Sequence, residues 1–278
     1  MYAKTIQKRK TLVENLLGPG ATTADMPWLK PFTLDSPNIL VTLYELFSPG
    51  YPCPFAERVG VLGDGGKWVC GMKYLELVKG ADCIVYSFGV ASDISFEQEI
   101  HERTQCLIRT FDIEIPNKNV VEEMSKMPRL DFVLGGLAVH DRIHMSHADC
   151  MEARGGVCND QEKFQESNFL SLPSIMKFYG DEHLSILKID IEGAEWDVLE
   201  SLLAVEGQEL PFSQLLVEFH RETHLVDERK AVKVFEGLEK RGFRIFSSEA
   251  NPWHALKNYE FSFVHPDKAH VFDIPWYG

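Results

Sequence analysis

The sequence predicts an α/β fold, in which helices cover a mostly parallel sheet with an antiparallel pair of strands at its edge. Short apolar runs rich in branched residues alternate with amphipathic helical segments along most of the chain, and this alternation is typical of parallel sheets. The last two predicted strands, Phe243–Phe246 and Tyr259–Val264, follow each other without a helix between them. We therefore expect these two strands to form the antiparallel pair.

The acidic composition argues against nucleic acid as a partner. The formal net charge is −14, whereas binding to a phosphate backbone needs clustered Lys and Arg. No apolar run approaches the roughly 18 residues that cross a bilayer, and no apolar segment follows the basic N-terminus. We therefore expect no membrane span and no signal peptide, and a cytoplasmic protein with the secretory pathway as the alternative.

The cysteines show no spacing typical of a structural zinc site, because none forms a Cys-x-x-Cys pair. Cys83 and Cys106 lie in strand-like apolar runs and are predicted to be buried thiols. In an oxidising compartment two pairs that flank loop-like segments could form disulfides. These pairs are Cys53 with Cys70 and Cys150 with Cys158. We favour reduced thiols.

Residues 1–52 are predicted to form an irregular arm, and residues 53–278 the α/β domain. Residues Thr5–Leu17 suit a short helix that ends at Gly18. The stretch that follows is rich in proline, which excludes long regular structure. Three apolar residues could anchor this stretch to the domain: Trp28, Phe32 and Leu34.

The first core strand, Asp82–Phe88, leads through a turn at Gly89 into a helix predicted over Phe96–Arg103. In a doubly wound fold an adenosine cofactor lies at this first strand-turn-helix unit. The G-x-G-x-x-G fingerprint of dinucleotide-binding enzymes is absent. The candidates for cofactor binding are Ser87, Gly89, Asp93 and, from the first turn of the helix, Glu97.

The second strand, Cys106–Phe111, ends at Asp112, about 20 residues beyond the glycine turn. An acidic residue at this distance can accept hydrogen bonds from both hydroxyls of a ribose. Asp112 comes first after the apolar run and is therefore the preferred candidate. Glu114 is the second choice.

A third strand is predicted over Asp131–Val139. Three histidines follow it: His140, His144 and His147. We interpret them as surface histidines, because the surrounding segment is polar and loop-like and spacing alone does not define a metal site. Residues 151–167 are expected to form a surface loop or lid, and Ser171–Gly180 a short helix.

An apolar strand over Leu184–Ile189 runs directly into an acidic turn and then into an amphipathic helix. Ligands of open α/β sheets bind outside the carboxyl ends of the strands. The turn therefore places carboxylates where chemistry is expected: Asp190, Glu192 and Glu195. We expect Glu195 to interact mainly with the positive end of the helix dipole.

A further strand over Gln214–His220 carries Glu218 and His220 on one face. Both residues lie near the carboxyl end of that strand, so we expect them at the same edge of the sheet as the acidic turn. Asp227 is predicted to cap an amphipathic helix that ends at Gly242.

Two blocks of the sequence carry a resemblance to a known family. Lys188–Glu195, which reads KIDIEGAE, resembles the signature of FkbM-type S-adenosylmethionine-dependent methyltransferases. Gly63–Cys70, which reads GDGGKWVC, resembles a block upstream of the cofactor site in animal methyltransferase-like relatives of that group. The resemblance covers about Arg58 to Val264 and implies a Rossmann-like class I methyltransferase fold with S-adenosylmethionine as the cofactor. It also implies a loop over the cofactor, formed by Asp64, Gly65, Gly66 and Lys67.

The resemblance implies O-methylation of a sugar or another polar small molecule. Methyl transfer from a sulfonium requires alignment of the reactants, and a general base assists when the acceptor is a hydroxyl. The candidates for this base are His220 and Asp190, with Glu218 as the residue that orients His220. Glu192 and His140 are the candidates for acceptor binding.

Three alternatives accompany this hypothesis. A divalent cation held by Asp190, Glu192 and Glu218 is chemically possible but not favoured. A nicotinamide-dependent oxidoreductase on a Rossmann-like fold is disfavoured by the missing dinucleotide fingerprint. A binding module that keeps the methyltransferase fold without activity is the third alternative.

Overall fold

The computed structural model describes residues 2–25, 46–146, 148, 167–220, 228–251 and 258–269. The helices in these ranges are α1 (Tyr2–Leu17), α2 (Met72–Leu75), α3 (Ser95–Arg103), α4 (Lys118–Ser125), α5 (Leu172–Tyr179), α6 (Glu195–Ala204) and α7 (Glu228–Lys240). The strands are β1 (Glu57–Val59), β2 (Lys67–Val69), β3 (Ile84–Phe88), β4 (Leu107–Asp112), β5 (Leu130–Leu137), β6 (Arg142–Met145), β7 (Ser167–Leu170), β8 (Leu184–Ile189), β9 (Phe212–His220), β10 (Arg244–Ala250) and β11 (Asn258–Val264). None of the helices in these ranges combines the length and the apolar character that crossing a membrane requires.

Nine of the described strands form one sheet in the order β10-β11-β9-β8-β3-β4-β5-β7-β6. The six strands from β9 to β7 in this order run parallel. β11 pairs antiparallel with both β9 and β10, and β6 pairs antiparallel with β7. The predicted α/β class, with a mostly parallel sheet and an antiparallel pair at one edge, is confirmed. Within that pair β11 lies inside the sheet and β10 at its border.

Several short elements are not predicted from the sequence, among them α4, β6 and β7. Helix α4 occurs where no helix is predicted, and its eight residues are too few for periodicity to reveal it. It begins where the Asn117 side chain accepts hydrogen bonds from the backbone N–H groups of Asn119 and Val120. Strand β6 lies in a segment interpreted as loop, and β7 begins at Ser167, the last residue of the predicted lid. Both strands are formed by pairing at the sheet border: β7 adds parallel to β5, and β6 adds antiparallel to β7. The centre of the predicted lid, residues 149–166, and the predicted cap Asp227 lie outside the described residues.

Both ends of the predicted arm belong to the main hydrophobic core. The ring of Phe47 stacks on that of Phe235 in α7, with centroids 4.6 Å apart. Arg9 in α1 forms a buried ion pair with Glu239 in α7, and the Tyr2 hydroxyl donates a hydrogen bond of 2.8 Å to the same carboxylate. Helix α1 is thus docked on the domain. The predicted anchors lie outside the described residues: Trp28, Phe32 and Leu34.

The hairpin formed by β1 and β2 packs across one face of the sheet. The side-chain amide of Gln214 in β9 exchanges two hydrogen bonds of 2.8 Å with the backbone of Cys70, directly after β2. The Trp68 indole N–H donates to Glu249 in β10, and Arg58 forms an ion pair with the same residue at 2.9 Å. These contacts fix the glycine-rich loop between the two strands relative to the sheet.

The cysteine prediction is wrong for Cys83 and Cys106, which form a disulfide in the structure. The parallel register pairs Ile84 of β3 with Leu107 of β4, so the residues that precede them face each other across the two strands. The separation of 23 residues along the chain does not reveal this contact.

A second disulfide joins Cys53 to Cys70, one of the two pairs considered from the sequence, so the preference for reduced thiols is wrong for this pair as well. It connects the end of the arm to the end of β2. Cys150 and Cys158 lie outside the described residues.

We predict that Phe47→Ala lowers the free energy of unfolding by about 3–5 kcal/mol, the usual cost of removing a buried phenyl ring. Urea titration followed by circular dichroism measures the change. Phe178→Ala is the matched control, because Phe178 is 80% exposed and its loss should cost less than about 0.5 kcal/mol. Equal effects of the two substitutions would show that the arm is not packed on the core.

We also predict that the double variant Cys83→Ala/Cys106→Ala is less stable than the wild type by about 3 kcal/mol. This is the loop-closure entropy expected for a crosslink across a loop of this length. Peptide mapping without reductant should recover Cys83 linked to Cys106. Alkylation of both thiols in unreduced protein would contradict the assignment.

Candidate active site

A cleft of about 590 Å³ lies at the carboxyl ends of the central parallel strands. Four segments contribute most of its wall. They are residues 88–93 at the end of β3, residues 111–114 at the end of β4, the acidic turn after β8, and the end of β9. Asp64 and Gly65 of the hairpin loop also line it. The cavity therefore lies at the edge of the sheet where the sequence predicts the ligand site.

The turn after β3 requires glycine at position 89. Gly89 has a φ of 78°, and a Cβ atom there would lie 1.6 Å from the backbone oxygen of Asp190. The backbones at the ends of β3 and β8 therefore leave no room for a side chain at position 89. Gly89 lines the cleft, as predicted.

Asp112 lines the cleft at the end of β4 and is fixed by two backbone groups. Its Oδ2 accepts a hydrogen bond of 2.8 Å from the N–H of Ala91, and its Oδ1 accepts one of 2.9 Å from the N–H of Glu114. A carboxylate oxygen has two acceptor positions, so Asp112 can hold both bonds and still accept from a ligand.

Asp93, a candidate for cofactor binding, also contacts the backbone at the start of α3. It lines the cleft, and its Oδ1 accepts a hydrogen bond of 2.8 Å from the N–H of Ser95 at the start of α3. A Cβ atom at Gly65 would lie 2.9 Å from the Asp93 carboxyl group, so the hairpin loop packs directly against this residue.

Ser87 and Glu97, which are predicted to contact the cofactor, do not line the cleft. Both are fully buried, and the Ser87 hydroxyl donates a hydrogen bond of 2.5 Å to Glu97 Oε1. Lys188, which does line the cleft, has its Nζ 3.7 Å from the same carboxylate oxygen. Glu97 therefore forms an ion pair with Lys188 and is itself held in place by the Ser87 hydroxyl.

Lys67 is also not part of the cleft wall, although the resemblance implies that it lies over the cofactor. Its side chain is buried under the hairpin, with Nζ 3.3 Å from Asp190 and 3.8 Å from Glu218. Its closest partner is Glu260 in β11. Gly66, likewise absent from the wall, leaves no room for a side chain, because a Cβ atom would lie 2.1 Å from the Val61 oxygen.

The surroundings of Lys67 shift the pKa values of two neighbouring carboxyl groups, Asp190 and Glu218, in opposite directions. Burial raises the pKa of Glu218 to about 8, and the negative charges of Asp190 and Glu260 add to this effect. Burial would also raise the pKa of Asp190, but the nearby charge of Lys67, with those of Lys188 and His220, lowers it below its usual value. At neutral pH Asp190 is therefore ionised and Glu218 is mostly protonated.

His220 is held by Glu195, not by Glu218 as expected. Its Nδ1 lies 2.9 Å from Glu195 Oε1, and the same oxygen accepts a hydrogen bond of 2.8 Å from the N–H of Ile191. His220 Nε2 lies 3.8 Å from Asp190 Oδ1 and 3.6 Å from Glu192 Oε2. Glu195 thus joins the acidic turn to the end of β9, a contact between residues 25 positions apart that sequence patterns do not show.

The pKa of His220 is raised to about 10. Burial alone would lower it, but the charge and hydrogen bond of Glu195 and the charges of Asp190 and Glu192 outweigh burial. His220 is therefore an imidazolium at neutral pH.

The carboxylates fit a divalent cation poorly. Asp190, Glu218 and His220 offer ligand atoms within 4.8 Å of one another, as do Asp64, Asp190, Glu218 and Glu260. The ammonium of Lys67 already lies among these carboxylates and would repel a metal ion. The cation therefore stays the less favoured hypothesis.

The two residues predicted to bind the acceptor lie in different cavities. Glu192 lines the cleft and has a φ of 57°, which is unusual for a residue other than glycine. His140 is exposed and lies at a neighbouring cavity. His144 belongs to β6, and His147 lies outside the described residues.

A family model described as a methyltransferase domain matches residues 35–265. The chain belongs to this methyltransferase family. Proteins named probable methyltransferase-like protein 24 from Homo sapiens and Rattus norvegicus are 24% identical over 181 residues and 25% identical over 179 residues. The matches cover 62% and 61% of this chain but only 44% of each relative. The chain thus spans less than half the length of these proteins.

Solved structures similar to this chain include M. capricolum TrmK in complex with S-adenosylhomocysteine. The two share 8% identity, with a TM-score of 0.36, over 70% of this chain and 67% of that one. Family membership confirms the prediction of a methyltransferase, for which S-adenosylmethionine is the expected cofactor. The order of the strands agrees with the predicted class I fold. Both findings favour a methyltransferase over a nicotinamide-dependent oxidoreductase.

We predict that the charge on His220 makes stability depend on pH. The pKa rises from 6.5 to about 10 on folding, so the contribution is fully present below pH 6.5 and is lost as the pH rises through 10. Glu195→Gln should lower the pKa of His220 and flatten the decline in unfolding free energy over this window.

An NMR titration of the His220 imidazole and urea unfolding at several pH values measure both effects. Glu206→Gln, at an exposed position just after α6, is the control and should change neither. A pKa of His220 that is the same in Glu195→Gln and wild type would contradict the pairing.

Proposed function

We propose that this chain transfers a methyl group to a hydroxyl of a small acceptor, as FkbM-type enzymes do. The observation that carries this proposal is the meeting of Asp190 and His220 at the ends of the neighbouring strands β8 and β9, in the same cleft as Gly89 and Asp112. When bound, S-adenosylmethionine supplies a methyl group activated by a sulfonium. The chain then has to align an acceptor oxygen and remove its proton.

Asp112 is the residue that we assign to the ribose hydroxyls of the cofactor. It is fixed by two backbone N–H groups, so it is preorganised to accept further hydrogen bonds. Gly89 allows the backbone to approach the ligand closely, and Asp93 and the loop at Asp64 and Gly65 complete this side of the cleft.

Asp190 is the residue that we assign to proton acceptance. With S-adenosylmethionine bound as the methyl donor, the Asp190 carboxylate would accept the proton that the acceptor hydroxyl loses on methylation. Lys67 keeps Asp190 ionised, and the imidazolium of His220 lies beside it. Glu218 is mostly protonated at neutral pH and acts through its effect on this cluster.

The charges of the cleft favour a neutral acceptor. The ionisable residues that line it are mostly acidic: Asp64, Asp93, Asp112, Glu114, Asp190, Glu192 and Glu218, against Lys188 and His220. A phosphate group would be repelled by this surface, which argues against a nucleic-acid acceptor. A sugar or another hydroxylated small molecule is neutral and is therefore not repelled by this acidic surface.

The test of cofactor binding is calorimetric titration with S-adenosylmethionine and S-adenosylhomocysteine. We predict that Asp112→Asn weakens the binding of both by about 1–3 kcal/mol, the value of hydrogen bonds to a charged group. Glu114→Gln is the control, since it removes a neighbouring carboxylate at the same wall of the cleft. Weakening by Glu114→Gln alone would transfer the ribose role to Glu114.

Failure of the wild type to bind either compound would overturn the proposal, and titration with NADH would then test the oxidoreductase.

Transfer of labelled methyl to a panel of sugars and polyols tests the reaction itself. Asp190→Asn should abolish transfer while cofactor binding persists. Binding without transfer to any acceptor would favour the inactive binding module.

We infer further that the chain folds in an oxidising compartment, the alternative to the expected cytoplasm. The support for this inference is the pair of disulfides, because structural disulfides are rare in reducing compartments. Recovery of Cys53 and Cys83 as free thiols from protein made in secreting cells would count against it.

A further inference from the structure

A second cavity, which we call the side pocket, lies next to the cleft. Its volume is about 390 Å³, and its walls come from the end of β5, strands β6 and β7, and helix α6. Leu137, Phe169 and Ala194 line both the side pocket and the cleft. The two cavities are therefore neighbours that share a wall.

The side pocket has a mostly apolar lining. Apart from the shared residues, its apolar wall consists of Ala138, Val139, Val198 and Ala204. The two acidic residues that border it, Asp197 and Glu200, already form ion pairs with Lys230. His140 and Arg142 are exposed and lie at its rim. Such a pocket binds an apolar group by removing its surface from water.

Ala194 links the side pocket to the proposed chemistry. It belongs to the acidic turn, directly before Glu195 and four positions after Asp190. A group that occupies the side pocket therefore lies beside the turn that carries the proposed proton acceptor. A molecule that extends from there into the cleft can present a hydroxyl to Asp190.

We propose that the side pocket holds an apolar ring or alkyl portion of the methyl acceptor, whose hydroxyl enters the cleft at Asp190. The proposal rests on the proposed methyl transfer and narrows the acceptor to an amphipathic alcohol, a phenol or a glycoside with an apolar substituent. A wholly polar sugar would leave the apolar wall exposed to water.

The test uses the full chain, saturated with S-adenosylhomocysteine and labelled with ¹³C at the alanine methyl groups. Ala138, Ala194 and Ala204 line the side pocket, whereas Ala91 lines only the cleft. Phenol is the probe, and glycerol is the polar control. We expect phenol to shift the NMR signals of Ala138, Ala194 and Ala204 saturably, and glycerol to leave them unchanged.

A bulky residue in the side pocket should block the probe. Ser201→Trp should weaken phenol binding at least about tenfold, equivalent to about 1.4 kcal/mol, with no change at Ala91. Glu206→Trp places the same side chain outside the pocket and should bind phenol as the wild type does. If Ser201→Trp does not fold, Ala204→Trp at the exposed end of α6 serves instead.

Three results would overturn the proposal. They are unchanged side-pocket alanines in the presence of phenol, equal shifts with glycerol, and equal phenol affinity in the wild type and the blocked variant. Failure of S-adenosylhomocysteine to shift Ala91 is a separate result, because it would contradict the proposed function and not the side pocket.

Discussion

The ammonium of Lys67 lies buried among the carboxyl groups of Asp190, Glu218 and Glu260. A buried charge without partners is strongly unfavourable, and removing one member of a buried ion cluster typically costs about 3–5 kcal/mol. Lys67 comes from the β1–β2 hairpin, whereas its partners come from β9, β11 and the turn after β8. The cluster therefore holds the hairpin on the sheet, and with it the glycine-rich loop at the cleft.

The same cluster determines the charge at the centre of the cleft. Lys67 keeps Asp190 ionised, while burial and its acidic neighbours keep Glu218 mostly protonated. His220 is charged because Glu195 and Asp190 face it. The imidazolium of His220 thus lies among the carboxylates of Asp190, Glu192 and Glu195, and the ammonium of Lys67 lies on the other side of Asp190.

Part of the site could be predicted because parallel strands end at one edge of a sheet. Asp112, Asp190, Glu218 and His220 each lie at or near the end of an apolar strand, and all line the cleft. Ser87 and Glu97 do not line the cleft, although they lie at the predicted first strand and helix. Residues alternate across a strand, but the face that a helix covers depends on packing, and here α3 covers the face that contains Ser87.

The sequence by itself determined the alternation of strands and helices, the acidic turn and the glycine at the end of β3, because periodicity and turn chemistry are local properties. Only the tertiary structure decided which distant side chains meet. The contacts of Lys67 with Glu260, of Glu195 with His220 and of Cys83 with Cys106 depend on strand order and register. Those are properties of the folded sheet, since every strand could pair in several ways before packing selects one arrangement.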